Sequence, residues 1–286
     1  INFYYKGASR TTTNLFAEKN INFNRLSLST GIMMNINSKY GNDFFPGLDI
    51  AYNVSKNISL FASHSRSMRT PNYTELYYLS PTNEGNHNLR PEHSINKEVG
   101  LKIKSKRHNT SFTYYQRTGS DMIDWVLLNE DSIWRTQNLS KVTTKGYEVN
   151  SVINLKSISF IPFSTLKINY AFNESDTTSE GFQSAYVLDH LRSKLSLTAS
   201  QNINSIRLDW RASFQDREGE YTDFETGNQM EYLPFWLVSL RASYTILSKH
   251  NIFIEINNLL NEEYVDFGNV PQPGRWIRVG TKISLQ

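Results

Sequence analysis

The stretch from Leu233 to Leu260 limits what this chain can fold into more than any other. Trp236, Val238, Leu240, Ala242, Tyr244 and Ile246 share one parity, and Ser239, Arg241, Ser243 and Thr245 share the other. The polar run Ser248-Lys249-His250-Asn251 interrupts, and alternation resumes with Ile252, Ile254 and Ile256 against Glu255 and Asn257. Side chains along a strand point alternately to opposite faces. The pattern therefore predicts an antiparallel hairpin with one apolar and one polar face. Its first strand runs to about 12 residues, where about 5–6 is usual in globular proteins. A tilted strand needs about 9–11 residues to cross a bilayer. A strand this long with a wholly apolar face points to a transmembrane β-barrel.

The same alternation recurs from end to end, for example in Leu26–Ile36, Leu48–Val54, Ile58–Ala62, Leu166–Phe172, Leu195–Ala199, Ile206–Phe214 and Ile277–Leu285. It predicts about 14 strands, beginning with Asn2–Tyr5 and Thr12–Lys19, and no convincing helix. The connections alternate in length. Short ones are expected near Lys19–Asn22, Ser55–Asn57, Ser105–Asn109, Gln201–Asn204 and Ser248–Asn251. Long ones are expected at about Asn37–Phe44, Thr70–His93, Gly119–Lys141, Glu174–Asp189, Asp216–Leu233 and Asn261–Gly274. A membrane barrel has short periplasmic turns and long outer loops, a rhythm that a β-sandwich lacks; a soluble sandwich or propeller is the rival fold.

Composition narrows the function. Thirty Lys and Arg against 27 Asp and Glu give a net charge of +3, with no signal for a nucleic-acid partner. No run of about 18 apolar residues exists, which excludes a helical membrane protein. The mean hydropathy of −0.50 remains compatible with a barrel, because lumen-facing residues dilute the average. Cysteine is absent, so there is neither a disulfide framework nor a thiolate metal site. The six histidines lack paired metal-ligand spacing, and His64 reads as an interface residue. The acidic run Asp216, Glu218, Glu220, Asp223 and Glu225 reads as a solvated loop rather than a calcium site. No nucleophile elbow or phosphate cradle appears. No catalytic residue, metal ligand or cofactor is therefore assigned, and an enzyme is not expected. The chain opens on Ile1 without a signal-peptide pattern, so an exported protein would be represented here by a trimmed piece.

Several short motifs carry a resemblance. Arg69-Thr70-Pro71-Asn72-Tyr73-Thr74-Glu75-Leu76-Tyr77 and Asn88-Leu89-Arg90-Pro91-Glu92 are followed by Gly146-Tyr147-Glu148, expected to open a descending strand. Asn257-Asn258-Leu259-Leu260-Asn261-Glu262-Glu263-Tyr264 and Pro273-Gly274-Arg275 lie before the last strand. In this order the chain resembles the TonB-dependent outer-membrane receptors over essentially its whole length. The resemblance implies that residues 1–286 are the C-terminal part of a receptor β-barrel domain. About 14 strands would be present of 22, with the plug domain absent. The ending Leu285-Gln286 departs from the family's usual terminal aromatic. It further implies a multi-pass protein of a Gram-negative outer membrane, in contact with outer-membrane lipid. Its partners would be TonB, through a missing N-terminal region, and a scarce, large small-molecule ligand. The family also allows for a surface lipoprotein partner at the loops. The motif prolines and glycine are expected to build the fold, because Pro71 and Pro91 fix φ at strand ends and Gly274 frees a turn.

For ligand binding the candidates are Tyr73, Tyr77, Tyr78, Trp125, Trp134 and Tyr221, whose flat faces suit a bulky ligand, with Asn86, Asn88 and Arg135 as donors. The two loops expected to close over the ligand hold Arg90, Arg135 and Lys141 against Glu75, Glu84, Glu92, Asp121, Asp124, Glu130 and Asp131. That acidic tilt opposes a trianionic ferric siderophore and favours cobalamin. A ferric-siderophore receptor and a passive outer-membrane channel are the alternatives. Arg207, Asp209, Arg211, Arg241, Lys102 and Glu255 are expected on the polar face, and Leu208, Trp210, Leu240 and Ile254 toward lipid.

Overall fold

Alternation at period two becomes long antiparallel strands in the computed structural model of the chain. The structure describes residues 7–128, 131–156, 162–177, 182–184, 190–223, 226–246, 250–266, 268 and 270–283. The expected strand at 2–5 and the ending Leu285-Gln286 lie outside them. The first four strands are β1 (Thr12–Phe23), β2 (Leu26–Asn37), β3 (Gly41–Asn53) and β4 (Ile58–Arg69). A five-residue helix, α1 (Tyr73–Tyr77), and the short β5 (Asn83–Glu84) precede β6 (Glu92–Lys104), β7 (His108–Leu128) and β8 (Trp134–Asn154). Next come β9 (Thr165–Thr177), β10 (Phe182–Ser184), β11 (His190–Ile203) and β12 (Ile206–Glu218). The chain ends with β13 (Glu220–Thr222), β14 (Gln229–Glu231), β15 (Phe235–Ile246), β16 (His250–Asn257) and β17 (Trp276–Ile283). Fifteen of these strands belong to one sheet, and β13 pairs with β14 apart from it.

The chain forms two compact units, with β6, β7, β8 and β9 contributing to both. The first contains the order β1-β2-β3-β4-β6 and the far ends of β7 and β8, to which β10 and β5 are added. The second contains the near ends of β7 and β8 followed by β9-β11-β12-β15-β16-β17.

In both units the apolar parity is turned outward. Ile50, Leu60, Trp210, Ile252 and Ile254 are all exposed, and Leu208 pairs with Ala242 beside Trp210 and Leu240. An apolar surface of this extent marks contact with a membrane or a partner rather than with water. The polar parity is where burial occurs. Glu255 is 2% exposed and receives Arg278 at 2.7 Å and Arg211 and Arg241 at 3.4 Å each. Arg241 also lies over the Phe253 ring at 3.8 Å. Gly280 faces that ring so closely that a Cβ would come within 2.6 Å of it.

The structure corrects several connections. The first turn is at Asn24-Arg25 rather than Lys19–Asn22, with Asn24 in the left-handed region at φ 44°. The expected long loop Asn37–Phe44 is only Ser38-Lys39-Tyr40. Buried Asn37 accepts from the Lys39 and Tyr40 amides through Oδ1, and Gly41 takes φ 79°. The expected loop Gly119–Lys141 is mostly strand. At 21 residues each, β7 and β8 exceed the about 9–11 of a crossing and continue well beyond it. Gly146–Glu148 therefore lies inside β8 rather than opening it. The stretch 155–164 between β8 and β9, which the alternation did not flag as a connection, includes 157–161, outside the described residues. Lys249 and Ser248 of the hairpin turn, together with Glu225, also lie outside them.

One helix was not expected. Asn72 accepts from the Glu75 amide at 2.8 Å, and the Glu75 carboxylate accepts from the Asn72 amide at 2.7 Å. This reciprocal capping box nucleates a turn too short to show periodicity.

Candidate functional site

The loop between β4 and β6 and the far ends of β7 and β8 fold together into a lobe within the first unit. Leu76, Leu89 and Ile123 form its core, with Tyr77 packed against it. Arg69 grips Glu75 at 2.8 Å and Glu92 at 2.7 Å, and Glu92 also accepts from the Ile123 amide. Thr136, fully buried, donates its hydroxyl to the Glu75 carbonyl at 2.7 Å. β5 adds in parallel to Trp134-Arg135 of β8, and β10 adds to Val126–Leu128 of β7. Gly85 passes so close to α1 that a Cβ would meet its backbone at 2.9 Å. The motif residues Arg69, Pro71, Asn72, Glu75, Leu76, Leu89 and Glu92 thus build this lobe.

On the lobe lies an open cavity of 540 Å³, lined by Glu84, Gly85, Asn86, His87, Asn88, Arg90, Arg135, Thr136, Gln137 and Asn138. Its cations are engaged. Arg90 is paired with Asp121, and Arg135 with Asp131 and, at 3.0 Å, with Glu84. The Arg135 hydrogen bond holds the Asp131 carboxyl below its ordinary range. The rest of the lining is mostly amide. A second cavity of 240 Å³ is lined by Arg69, Glu92, His93, Asn96, Arg117 and Met122 among others.

The predicted site residues divide. Tyr73 stacks on Tyr77 with centroids 6.0 Å apart, and Tyr77 meets His87 edge-on at 4.8 Å. Tyr78 meets Trp125 edge-on at 6.2 Å. Arg135 and Asn86 line the cavity. Asn86 is also a tie within the lobe: its backbone amide donates to Glu75, its side chain donates to Thr136, and its Oδ1 accepts from Asn88. Trp125 and Trp134 stand on strands rather than in a loop, and Trp134 anchors β5 by donating its amide to Thr82. Tyr221 belongs to the second unit, where it packs on Tyr232 at 5.1 Å. In that unit Asp223 of the acidic run accepts from the Thr226 amide and hydroxyl and organises the β13–β14 turn. Asn258 and Asn261, at φ 50° and 57°, hold the following loop through bonds to Glu262, Pro273 and Arg275. Sequence reasoning did not single out His87, Gln137, Asn138 or the adjacent Lys39. Only the fold brings these residues together.

The family described as TonB dependent receptor-like, beta-barrel matches residues 2–259. The vitamin B12 transporter BtuB of Photobacterium profundum is 24% identical over 234 residues, covering 80% of this chain and 36% of that protein. The ferrienterobactin receptor of Escherichia coli (strain K12) is 22% identical over 288 residues, covering 91% and 38%. The chain thus spans somewhat more than a third of the length of each. Among solved structures, the siderophore receptor PirA of Pseudomonas aeruginosa superposes with a TM-score of 0.72 at 17% identity, covering 97% of this chain and 47% of that one. The FrpB iron transporter of Neisseria meningitidis gives 0.71 at 16%, covering 95% and 45%. Strand order, an outward apolar face and a match over most of its residues place this chain in the TonB-dependent receptor β-barrel family, in the outer membrane of a Gram-negative bacterium.

Proposed function

We propose that this chain is part of an active importer that captures cobalamin at the cell surface and passes it inward with energy from TonB. The observation that carries the ligand choice is the charge state of the cavity. Arg90 and Arg135 are already neutralised by Asp121, Asp131 and Glu84, and Asn86, Asn88, Gln137 and Asn138 supply amides. A large ligand with amide edges and little net charge fits such a lining. A trianionic complex would meet carboxylates at its edge, and like charge near a site suppresses capture. Tyr73, Tyr77, Tyr78 and Trp125 offer the flat apolar area that a corrin ring can cover. The named relatives include vitamin B12 transporters and ferric enterobactin receptors, so relatedness alone leaves both ligands in play.

Titration of the intact receptor with cyanocobalamin and with ferric enterobactin, at low and physiological salt, tests the reading. Cyanocobalamin is expected to bind tightly and ferric enterobactin weakly. Tight enterobactin binding without cobalamin binding would overturn the ligand assignment and leave the import reading standing.

A further inference from the structure

We propose that Lys39 is the residue that recognises charge on the ligand. Its ammonium takes one singly charged oxyanion, a phosphodiester or carboxylate, carried by a large and otherwise uncharged ligand in the cavity beside His87. This rests on the reading above and deepens it.

The backbone of Lys39 is fixed. Asn37, 4% exposed, accepts from the Lys39 amide at 2.9 Å and the Tyr40 amide at 3.1 Å. Its Nδ2 donates to Thr12 Oγ1 at 2.9 Å. The turn is therefore held from within by a buried amide, and Lys39 projects from a fixed point. Its Nζ donates to the carbonyl of His87 at 3.3 Å, and His87 lines the cavity. The ammonium also lies over the Tyr40 ring at 5.2 Å and the Tyr77 ring at 6.0 Å.

All of these partners are neutral. Arg90 and Arg135, which line the cavity, are each held by carboxylates, whereas Lys39, beside it at His87, forms no ion pair among the described residues. A long carbonyl bond and two distant ring faces are weaker than a charge-assisted hydrogen bond to an oxyanion. An incoming anion can therefore displace them. The Lys39 ammonium can match one negative charge. A second or third charge on the ligand would approach Glu84 or Asp121 instead. Selection for a monoanionic group comes from Glu84 and Asp121, which stand where further negative charge would fall.

The test uses the intact receptor and two probes. Cyanocobalamin carries one phosphodiester on an amide-rich body, and dicyanocobinamide lacks that phosphodiester. Lys39→Met keeps an unbranched apolar side chain and removes the charge. It should weaken cyanocobalamin binding about five-fold at low salt, the scale of one exposed ion pair, and less at physiological salt. Dicyanocobinamide affinity should stay at the wild-type value, which also reports that the site is folded. Lys39→Glu should weaken cyanocobalamin further. Equal loss for both probes, or no loss for cyanocobalamin, would overturn the role of Lys39 and leave the ligand reading intact. Failure of the unsubstituted receptor to bind cyanocobalamin would overturn both.

Discussion

The outer lobe of the first unit and the strand wall of the second solve opposite solvent problems with the same residue types. In the lobe, Leu76, Leu89 and Ile123 are buried under a polar exterior, as in a water-soluble domain. In the wall, Trp210, Ile252, Ile254 and Val279 are exposed while Glu255 is buried. Ion pairs follow the same inversion. Arg69 ties two separated segments of the lobe together through Glu75 and Glu92. In the wall, Arg211, Arg241 and Arg278 converge across neighbouring strands on one Glu255. What counts as the interior is set by the medium each region meets. A substitution should therefore act locally in the lobe and on the whole sheet in the wall.

The largest expected effect breaks the lobe alone. Leu76→Ala should lower its opening free energy by about 4 kcal/mol, as for a fully buried leucine. Hydrogen exchange at the amides of α1 and β5 would report this, with the denaturant midpoint of the strands unmoved. A matching shift of that midpoint would mean that lobe and strands unfold as one and would end the comparison. In the wall, Ile254→Arg should destabilise the folded sheet in bilayers by about 3 kcal/mol if the residue lies at mid-membrane. Lobe exchange should stay unchanged, and a neutral result would place Ile254 away from lipid.

Smaller effects sharpen the picture. Glu92→Gln weakens the grip of Arg69 and the acceptor for the Ile123 amide, and should raise exchange in the lobe by about 2 kcal/mol equivalent. Asn72→Ala removes the helix cap and should contribute about 1 kcal/mol in the same assay. The smallest effect is one of pH. The folded Asp131 carboxyl titrates below its ordinary value of 3.8 because of Arg135. Its contribution is therefore complete above that value and is lost as pH falls through the lower, folded value. Cyanocobalamin affinity should not change through this pair between about pH 5 and 7. Asp131→Asn should loosen one of the two carboxylate contacts on Arg135 at neutral pH and improve binding of an anionic siderophore. No such gain would show that Glu84 alone neutralises Arg135.

Much of the wall was legible in advance. Alternation places one residue in two on each face whatever the neighbours are, so strand parity, the lipid-facing set and the polar set of Arg207, Asp209, Arg211, Arg241 and Glu255 follow from spacing. Among the described residues thirteen strands form the main path, against about 14 expected with residues 2–5 included. The lobe was far less legible. Residues 119–141 lose clean alternation because both faces of β7 and β8 become partly buried there, against the β4–β6 loop on one side. Period-two reading therefore took strand for loop. Five residues of α1 are too few to display a helical period, and only the pairing of Asn72 with Glu75 marked them.

By itself the sequence determined the class of fold, because a bilayer demands long strands with one apolar face and that demand is written residue by residue. It also carried the motif residues Arg69, Asn72, Glu75, Leu89 and Glu92, without saying what they hold. Only the tertiary structure decided that these residues weld a lobe, that Asn86 is a tie as well as a cavity residue, and that Arg90 and Arg135 are already paired. It alone set Lys39 beside His87, 48 positions away in the chain. Such contacts depend on how separate loops pack on one another, and local spacing carries no information about that packing.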